Sequence, residues 1–221
     1  MKKIIKTFFN KFGLDIVRYS KPSDHLKQAD HTLFTISEIL DRHHVEWWLT
    51  CGTLLGFYRD SNYIKHDIDI DLCVDWETFS KECLLEILTV FNLNKFYGLP
   101  ESSLEICLED KGLNLDLFFI YKNQSKIYHS VFGDFTNDSY SRFDYVYDPI
   151  KLKRTEFRGI RCWVPDDTEY FIQQNYGLNW RVPEKSWHYI KSPPHCQDAQ
   201  MRITYQCAKE KLLKWINSKN A

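Results

Sequence analysis

Three aspartates alternate along one short stretch, at Asp67, Asp69 and Asp71. In an extended chain alternate side chains share a face, so these carboxylates point one way while Ile68 and Ile70 point the other. Carboxylates two positions apart lie roughly 6.5 Å apart along a strand, close enough for both to bind one hard cation such as Mg²⁺ or Mn²⁺. Without a cation they repel each other, which raises at least one pKa. The spacing therefore indicates a metal site.

A glycine-containing turn precedes the acidic stretch, at Gly52 and Thr53. Residues 45–51 have the composition of a buried strand, and a short helix is predicted after the turn. A strand, a turn and a helix N-terminus present backbone N–H groups to an anion, usually a phosphate. Arg59 is suited to bidentate contact with phosphate oxygens. Lys65 is interpreted either as one more phosphate contact or as a solvated lysine.

A third carboxylate, Asp116, stands inside an apolar run between Leu115 and Leu117. An acid in such a strand is either paired or functional. Together with the acidic stretch and the phosphate turn, it predicts phosphoryl-type transfer assisted by Mg²⁺ or Mn²⁺. In this reading Asp69, Asp71 and Asp116 bind the cation. Asp116 also orients or deprotonates an attacking hydroxyl group.

The elements that must position these residues follow from hydrophobic periodicity and turn signals. Residues 122–156 have no clear assignment, and Gly177 is the expected end of a helix. The predicted helices cover 24–44, 79–91, 165–174 and 199–216. The predicted strands cover 63–74, 104–108 and 113–121, with a hairpin over 157–164.

Composition limits the class of protein. The chain has 221 residues with a net charge of −1, which makes a nucleic-acid polymer an improbable partner. The seven cysteines form no CxxC pair, which argues against a zinc site and a disulfide framework and favours a reducing compartment. With no long apolar run or cleavable signal, the expectation is a cytoplasmic protein. The adjacent pair His43 and His44 is interpreted as a helix cap or solvated pair rather than a metal site.

The N-terminal residues 1–23 form a separate basic amphipathic segment in the predicted domain organisation, ahead of a domain over 24–221. Within it, residues 1–20 gather apolar side chains on one helical face and lysines around the other. Two interpretations remain open. The segment either rests on an anionic membrane surface, at the inner face of the cell membrane, or packs on the domain as a helix.

Two sequence motifs frame the candidate site. The first reads W-L-T-C-G-T-L-L-G-F-Y-R at residues 48–59, followed by Y-I-K-H-D-I-D-I-D at 63–71. It resembles the signature of the LicD/fukutin family within the nucleotidyltransferase superfamily, which reads G-T-L-L-G-x-x-R and then F-I-P-W-D-D-D-I-D. The second comprises F-R-G at 157–159, V-P at 164–165, Y-G-L-N-W at 176–180 and Pro183, and is similar to the family's closing Y-G-x-x-W-x-x-P element.

The resemblance implies an α/β (α+β) fold, a polymerase-β-like nucleotidyltransferase core with a mixed β-sheet flanked by helices. It also implies a metal-dependent enzyme that moves a phospho-alcohol, such as phosphocholine or ribitol phosphate, from a CDP-linked donor. The acceptor would be a hydroxyl of a surface glycan or its lipid-linked precursor, and CMP would be released. Carried over by position, Asp69 and Asp71 are the metal pair, Gly52 and Thr53 are the phosphate turn, and Asp116 is the third carboxylate.

The sequence departs from the family pattern beside the acidic pair. Lys65 and His66 replace the family's Pro-Trp, and Ile68 replaces its middle Asp. Asp69 and Asp71 keep their spacing, so metal binding is expected to survive. The changed rim leaves the identity of the transferred group open. Aromatic residues in the motifs are either core or a cage for a cationic headgroup. The candidates for such a cage are Trp47, Trp48, Tyr58, Trp163 and Trp180.

Two other functions share these residues. A nucleotidyltransferase would move NMP from an NTP to a sugar or small molecule with the same carboxylates. A binding relative with a decayed metal site would not catalyse transfer, and the missing Asp and Pro-Trp are the features that favour it. Pyrophosphate release identifies the first, and a lack of divalent-dependent nucleotide binding identifies the second.

Overall fold

The computed structural model describes residues 25–218, so the predicted segment of residues 1–23 lies outside the described residues. The helices are α1 (His25–Arg42), α2 (Cys51–Asp60), α3 (Lys81–Val90), α4 (Thr168–Tyr176) and α5 (Tyr205–Asn217). The strands are β1 (Trp47–Leu49), β2 (Asp69–Asp75), β3 (Asn92–Tyr97), β4 (Glu105–Asp110), β5 (Leu113–Asn123), β6 (Lys126–Gly133), β7 (Ser139–Tyr147), β8 (Leu152–Phe157), β9 (Ile160–Pro165) and β10 (Cys196–Thr204).

Eight of these strands form one mixed sheet, in the order β1-β2-β5-β6-β7-β10, with β4 paired to β5 and β3 paired to β4. The pairing of β2 with β5 is parallel, and the other pairings in this sheet are antiparallel. The strands β8 and β9 form a separate antiparallel hairpin. The expected mixed sheet flanked by helices is therefore confirmed.

The core lies where α1 meets the centre of the sheet. The helix contacts both β2 and β5, and its spacing of Ala29, Leu33, Ile36 and Leu40 leaves all four side chains fully buried. Alternation along the strands places Ile70 of β2 in the same core and leaves the neighbouring aspartates on the other face. Burial of this apolar face therefore determines which way the carboxylates point.

Several predicted bounds are corrected by the structure. The closing helix predicted over 199–216 begins only at Tyr205, because residues 196–204 pair with β7 as β10. The acidic strand predicted over 63–74 begins only at Asp69, since a turn at residues 65–66 interrupts it. The helix predicted from Pro165 begins at Thr168, with Asp167 as its N-cap, and Pro165 ends β9 instead.

Five strands were missed by sequence reasoning, namely β3, β6, β7, β10 and the greater part of β8. The segment 122–156 is polar and aromatic, so its strand propensity has no clear alternation to reveal it. Strand pairing stabilises it instead, through the neighbouring pairs β5–β6 and β6–β7 and through β10, which is distant in sequence, on β7. The hairpin turn at residues 158–159 and the helix end at Gly177, where φ is 77°, are confirmed.

The remaining structural predictions concern cysteines, histidines and membrane spans. All seven cysteines are free thiols, and three of them, Cys73, Cys83 and Cys162, are buried. His43 contacts Glu86 at 2.7 Å, and His44 adopts a left-handed conformation at the end of α1 with φ of 55°, so they do not form a metal pair. Among residues 25–218, the helices lack the length and apolar content needed to cross a bilayer.

Candidate metal and donor site

The three predicted carboxylates converge at one point of the sheet. Asp69 and Asp71 lie on β2, and the parallel register places Asp116 of β5 directly beside Asp71. One oxygen from each of the three lies within 4.8 Å of the others. Three carboxylate oxygens at this spacing fit a hard divalent cation, since Mg²⁺ and Ca²⁺ bind oxygen ligands at about 2.0–2.6 Å. The structure thus brings Asp116 together with the pair, and its role as a metal ligand stays a prediction.

Burial and mutual repulsion disfavour ionisation of the clustered carboxyl groups, so their pKa values are raised. Burial and the neighbouring Asp67 raise the pKa of Asp69 to about 8. Burial and the charge of Asp69 raise the pKa of Asp116 to about 7, and the same two causes raise the pKa of Asp71 well above its usual range. A bound divalent cation would favour the ionised carboxylates and reverse these shifts.

Asp67 stands just before β2 and supports the cluster from outside the strand. Its carboxyl group is a neighbour of Asp69 and contributes to the raised pKa of that residue. It also lies against Gly52, where an added Cβ atom would come within 2.4 Å of Asp67 Oδ2 and 3.3 Å of Asp71 Oδ2. The first turn of α2 can approach the carboxylates this closely only because residue 52 has no side chain.

Thr53 connects α2 to the acidic strand by two hydrogen bonds. Its backbone N–H donates to Asp71 Oδ2 at 3.3 Å, and its Oγ1 accepts from the backbone N–H of Asp71 at 2.9 Å. The side chain is buried. The helix N-terminus therefore faces Asp71, and the predicted contact of Thr53 with phosphate stays a prediction.

A cavity of about 820 Å³ opens beside the carboxylates. Aromatic rings form its far wall, where Tyr176 and Trp187 lie with centroids 4.7 Å apart and Trp180 contacts Tyr58 at 5.6 Å. The lining residues are Gly52, Leu55, Arg59, Ile64, His66, Asp67, Asp69, Asp71, Tyr176, Asn179, Trp180, Val182, Pro183, Glu184 and Trp187. The second sequence motif therefore supplies the wall that faces the first.

The predicted anion-binding side chains lie at different places. Arg59 lines the cavity, with its guanidinium forked onto Asp60 at 3.0 and 2.8 Å. Lys65 is exposed and is not among the residues that line the cavity.

Sequence reasoning missed Trp187 and Glu184 as lining residues, whereas His66, which was expected at the rim, does line the cavity. The position of Trp187 could have been predicted, because a single Trp in a polar, proline-containing loop is rarely part of the hydrophobic core.

The five aromatics proposed as a cationic cage do not assemble into one. Trp47 and Trp48 are buried in β1, with exposures of 0% and 2%. Trp163 packs under the guanidinium of Arg154 at 4.8 Å. Of the five, Tyr58 and Trp180 are in ring contact, and Trp180 belongs to the aromatic wall together with Tyr176 and Trp187.

Comparisons with known proteins agree with the sequence motifs. Residues 44–167 match the nucleotidyltransferase domain of the LicD/FKTN/FKRP family. Ribitol-5-phosphate transferase FKTN from Macaca fascicularis and from Homo sapiens are each 31% identical over 173 residues, covering 77% of this chain and 37% of those proteins. The chain thus spans little more than a third of the length of these relatives. A lincomycin-bound lincosamide antibiotic adenylyltransferase, LnuA, has a TM-score of 0.43 at 16% identity, covering 64% of this chain and 82% of that chain.

Proposed function

Because the chain belongs to the LicD/FKTN/FKRP family, we propose that it is a transferase that moves a phospho-alcohol from a CDP-linked donor to a glycan hydroxyl. The observation that carries this proposal is the convergence of Asp69, Asp71 and Asp116 within 4.8 Å. Two of these three also line a cavity large enough for a nucleotide. The relatives' printed activity, ribitol-5-phosphate transfer, supports a phospho-alcohol as the transferred group.

The charge of the cavity makes a cation necessary for this donor. The lining includes four carboxylate residues, Asp67, Asp69, Asp71 and Glu184, and one arginine. That arginine, Arg59, is already paired with Asp60. With these carboxylates ionised, a diphosphate would be repelled from this cavity, since like charges at short range in a partly buried site interact strongly. We infer that Mg²⁺ or Mn²⁺ accompanies the donor and neutralises both partners.

In the proposed reaction, the acceptor hydroxyl oxygen forms a bond to the phosphorus that carries the alcohol. The bond from that phosphorus to the bridging oxygen breaks, and CMP leaves with the electron pair. Asp116 orients the hydroxyl or takes its proton, while Asp69 and Asp71 hold the cation. Gly52 leaves room at the helix N-terminus, Arg59 contacts phosphate oxygens, and the cation supplies charge stabilisation in the transition state.

The aromatic wall is assigned to the nucleoside end of the donor. Rings of Tyr176, Trp180 and Trp187 offer apolar faces on which a base can stack. We infer a cytoplasmic location from the free thiols. The glycan or lipid-linked acceptor and any membrane contact of residues 1–20 belong to the same proposal.

The direct test supplies CDP-choline, CDP-ribitol or CDP-glycerol with Mn²⁺ and candidate glycan acceptors, and measures CMP release. Asp71→Asn should lower the rate by at least about 100-fold, as expected for loss of a metal ligand. Glu101→Gln, an exposed acid outside the site, is the matched control. Full activity in Asp71→Asn contradicts the proposed site. Pyrophosphate release from an NTP, without CMP release from any CDP-alcohol, identifies a nucleotidyltransferase instead.

A further inference from the structure

A row of polar side chains runs across the sheet away from the donor cavity. The register aligns Asp116 of β5 with Cys107 of β4, and Cys107 with Lys95 of β3. Directly paired residues of neighbouring strands point to the same face. Strands lie about 4.8 Å apart, so the backbone at Lys95 is roughly 10 Å from that at Asp116. The row therefore leads from the reacting centre to the edge of the sheet, where Lys95 is exposed.

A second row on the same face adds a carboxylate and an aromatic ring. Glu105 of β4 pairs with Tyr97 of β3, and Glu105 accepts a hydrogen bond from the Cys107 thiol at 3.5 Å. Tyr97 contacts the ring of Phe135 at 5.5 Å, and Phe135 is 48% exposed. The face thus combines hydrogen-bonding groups with exposed aromatic surface.

The opposite face of the same strands is ordinary hydrophobic core. Ile106 and Leu108 of β4 and Leu115 of β5 have exposures of 0–1%. A lysine on an edge strand is common, because it discourages edge-to-edge pairing. Glu105 and Cys107 are not on the edge strand, however, and they continue the row inward to Asp116. Protection of the edge therefore does not account for the polar side chains of β4.

We propose that this face, which we call the β3–β4 platform (Lys95, Tyr97, Glu105 and Cys107), binds a sugar residue of the acceptor and presents its hydroxyl to Asp116. This inference rests on the proposed function. None of the four platform residues lines the donor cavity, whereas Asp69 and Asp71 do. The carboxylates thus stand between the two sites. In-line displacement needs this arrangement, with the attacking oxygen and the leaving group on opposite sides of the phosphorus.

The chemistry of the platform suits a neutral, polyhydroxylated ligand. The Lys95 ammonium can donate hydrogen bonds to sugar hydroxyls, and the carboxyl oxygens of Glu105 can accept hydrogen bonds from them. The Tyr97 and Phe135 rings offer an apolar surface to the C–H face of a pyranose. Lys95 makes no ion pair with any residue in the described part of the chain. Its ammonium is therefore available to such a ligand.

The test uses a glycan array probed with the full chain in the presence of Mn²⁺ and CDP. Wild type, Lys95→Ala and Glu105→Gln are compared with Lys151→Ala, an exposed lysine of a different region, as the matched control. Wild type and Lys151→Ala should bind the same subset of glycans on the array. The binding signal of the two platform variants for that subset should be at least fivefold lower. Thermal shift by CDP with Mn²⁺ reports the donor cavity and folding of every variant.

The outcomes separate the two proposals. The platform is supported if all four proteins bind CDP and only the two platform variants lose glycan binding. CDP binding with glycan retention unchanged in Lys95→Ala and Glu105→Gln overturns it, and so does CDP binding with no glycan retained by wild type. Lack of Mn²⁺-dependent CDP binding in wild type contradicts the proposed function itself.

Discussion

At the scale of single residues, the site depends on Gly52 as much as on the carboxylates. A Cβ atom at this position would lie 2.4 Å from Asp67 Oδ2 and 3.3 Å from Asp71 Oδ2. Both oxygens belong to side chains that can move, so a larger residue displaces carboxylates rather than backbone. The glycine is therefore expected to matter for the geometry of the proposed metal site more than for folding.

Gly52→Ala is expected to weaken Mn²⁺ binding by at least about tenfold, as disturbed support of a metal ligand commonly does. Folding should be maintained, because Ala in a helix is favoured over Gly by about 0.5–1 kcal/mol. Titration calorimetry with Mn²⁺ and a thermal melt measure the two effects. In the double variant Gly52→Ala with Asp67→Ala, the closest contact is removed and part of the affinity should return. Unchanged Mn²⁺ affinity in Gly52→Ala would contradict the steric explanation.

The carboxylates also predict how metal affinity depends on pH. With pKa values of about 8 at Asp69 and about 7 at Asp116, the metal-free cluster holds protons near neutrality. A cation must displace them, so Mn²⁺ affinity should rise between pH 6 and pH 8.5 and binding should release protons. Calorimetry in buffers of different ionisation enthalpy measures that release. Equal affinity at both pH values would contradict the prediction.

In the metal-free protein, a rise in pH is expected to lower folding stability, the opposite of its effect on metal affinity. Acids with raised pKa hold protons more tightly when folded, so the free energy of unfolding falls as pH rises through the folded pKa. Each pKa unit corresponds to about 1.4 kcal/mol. In chelator-treated samples, the free energy of unfolding of Asp69→Asn should therefore fall less between pH 6 and pH 9 than that of wild type.

At the scale of elements, the segment between α2 and β2 is pinned by the β8–β9 hairpin. Arg158 at the hairpin turn forks onto Asp30 of α1 at 2.7 and 3.0 Å. It also donates to Asn62 Oδ1 at 3.2 Å and lies over the ring of Tyr63. One guanidinium thus joins α1 and the hairpin to the loop that delivers Asp67 to the site.

Arg158→Ala is expected to loosen residues 62–68 and to lower stability by about 1–2 kcal/mol, since it removes charge-assisted hydrogen bonds from a half-buried acid. Hydrogen exchange of peptides from this loop should become faster. Arg158→Lys should restore little, because an ammonium cannot reproduce the bidentate contact. Arg161→Ala, an exposed arginine on the same hairpin, is the control. Unchanged exchange in Arg158→Ala would show that other contacts hold the loop.

At the scale of the whole molecule, the two halves of the large sheet meet around His129. This side chain of β6 is fully buried, and its ring lies 5.1 Å from Phe118 of β5 and 4.8 Å from Tyr145 of β7. Within the described residues, both ring nitrogens lack hydrogen-bond partners. Burial lowers the pKa of His129 to about 3, so the ring is neutral at physiological pH.

His129 should therefore make the fold sensitive to acid. The unfolded chain binds a proton below about pH 6.5 that the folded state excludes, so the free energy of unfolding falls as pH drops from 6.5 towards 3. His129→Leu should remove this pH dependence. Its gain in free energy of unfolding over wild type should be about 2 kcal/mol larger at pH 5 than at pH 7. Urea unfolding at both pH values measures it, with the exposed His31→Leu as control. An equal effect at the two pH values would contradict this account.

Local patterns in the chain were sufficient to single out the candidate site residues and the central strands. The alternation around Asp69 and Asp71, the lone Asp116 among leucines and the glycine of the turn each report a local requirement that residue type alone reveals. The same holds for the long helix α1 and the β4–β5 hairpin, whose periodicity is strong. The strands between 122 and 156 were missed because their polar and aromatic sequences show no clear alternation. The start of α5 was missed because residues 196–204 pair with β7, which is distant in sequence.

Only the tertiary structure decided which residues meet. Parallel pairing of β2 with β5 puts Asp116 beside Asp71, although forty-five residues of chain separate them. The fold also moves Asp67 out of the strand and against Gly52, and it brings Trp187 to the cavity while leaving Lys65 outside it. The sequence by itself determined the kind of ligands and their local spacing, because alternation is a property of the backbone. Their convergence depends on long-range strand pairing and core burial, which no local pattern specifies.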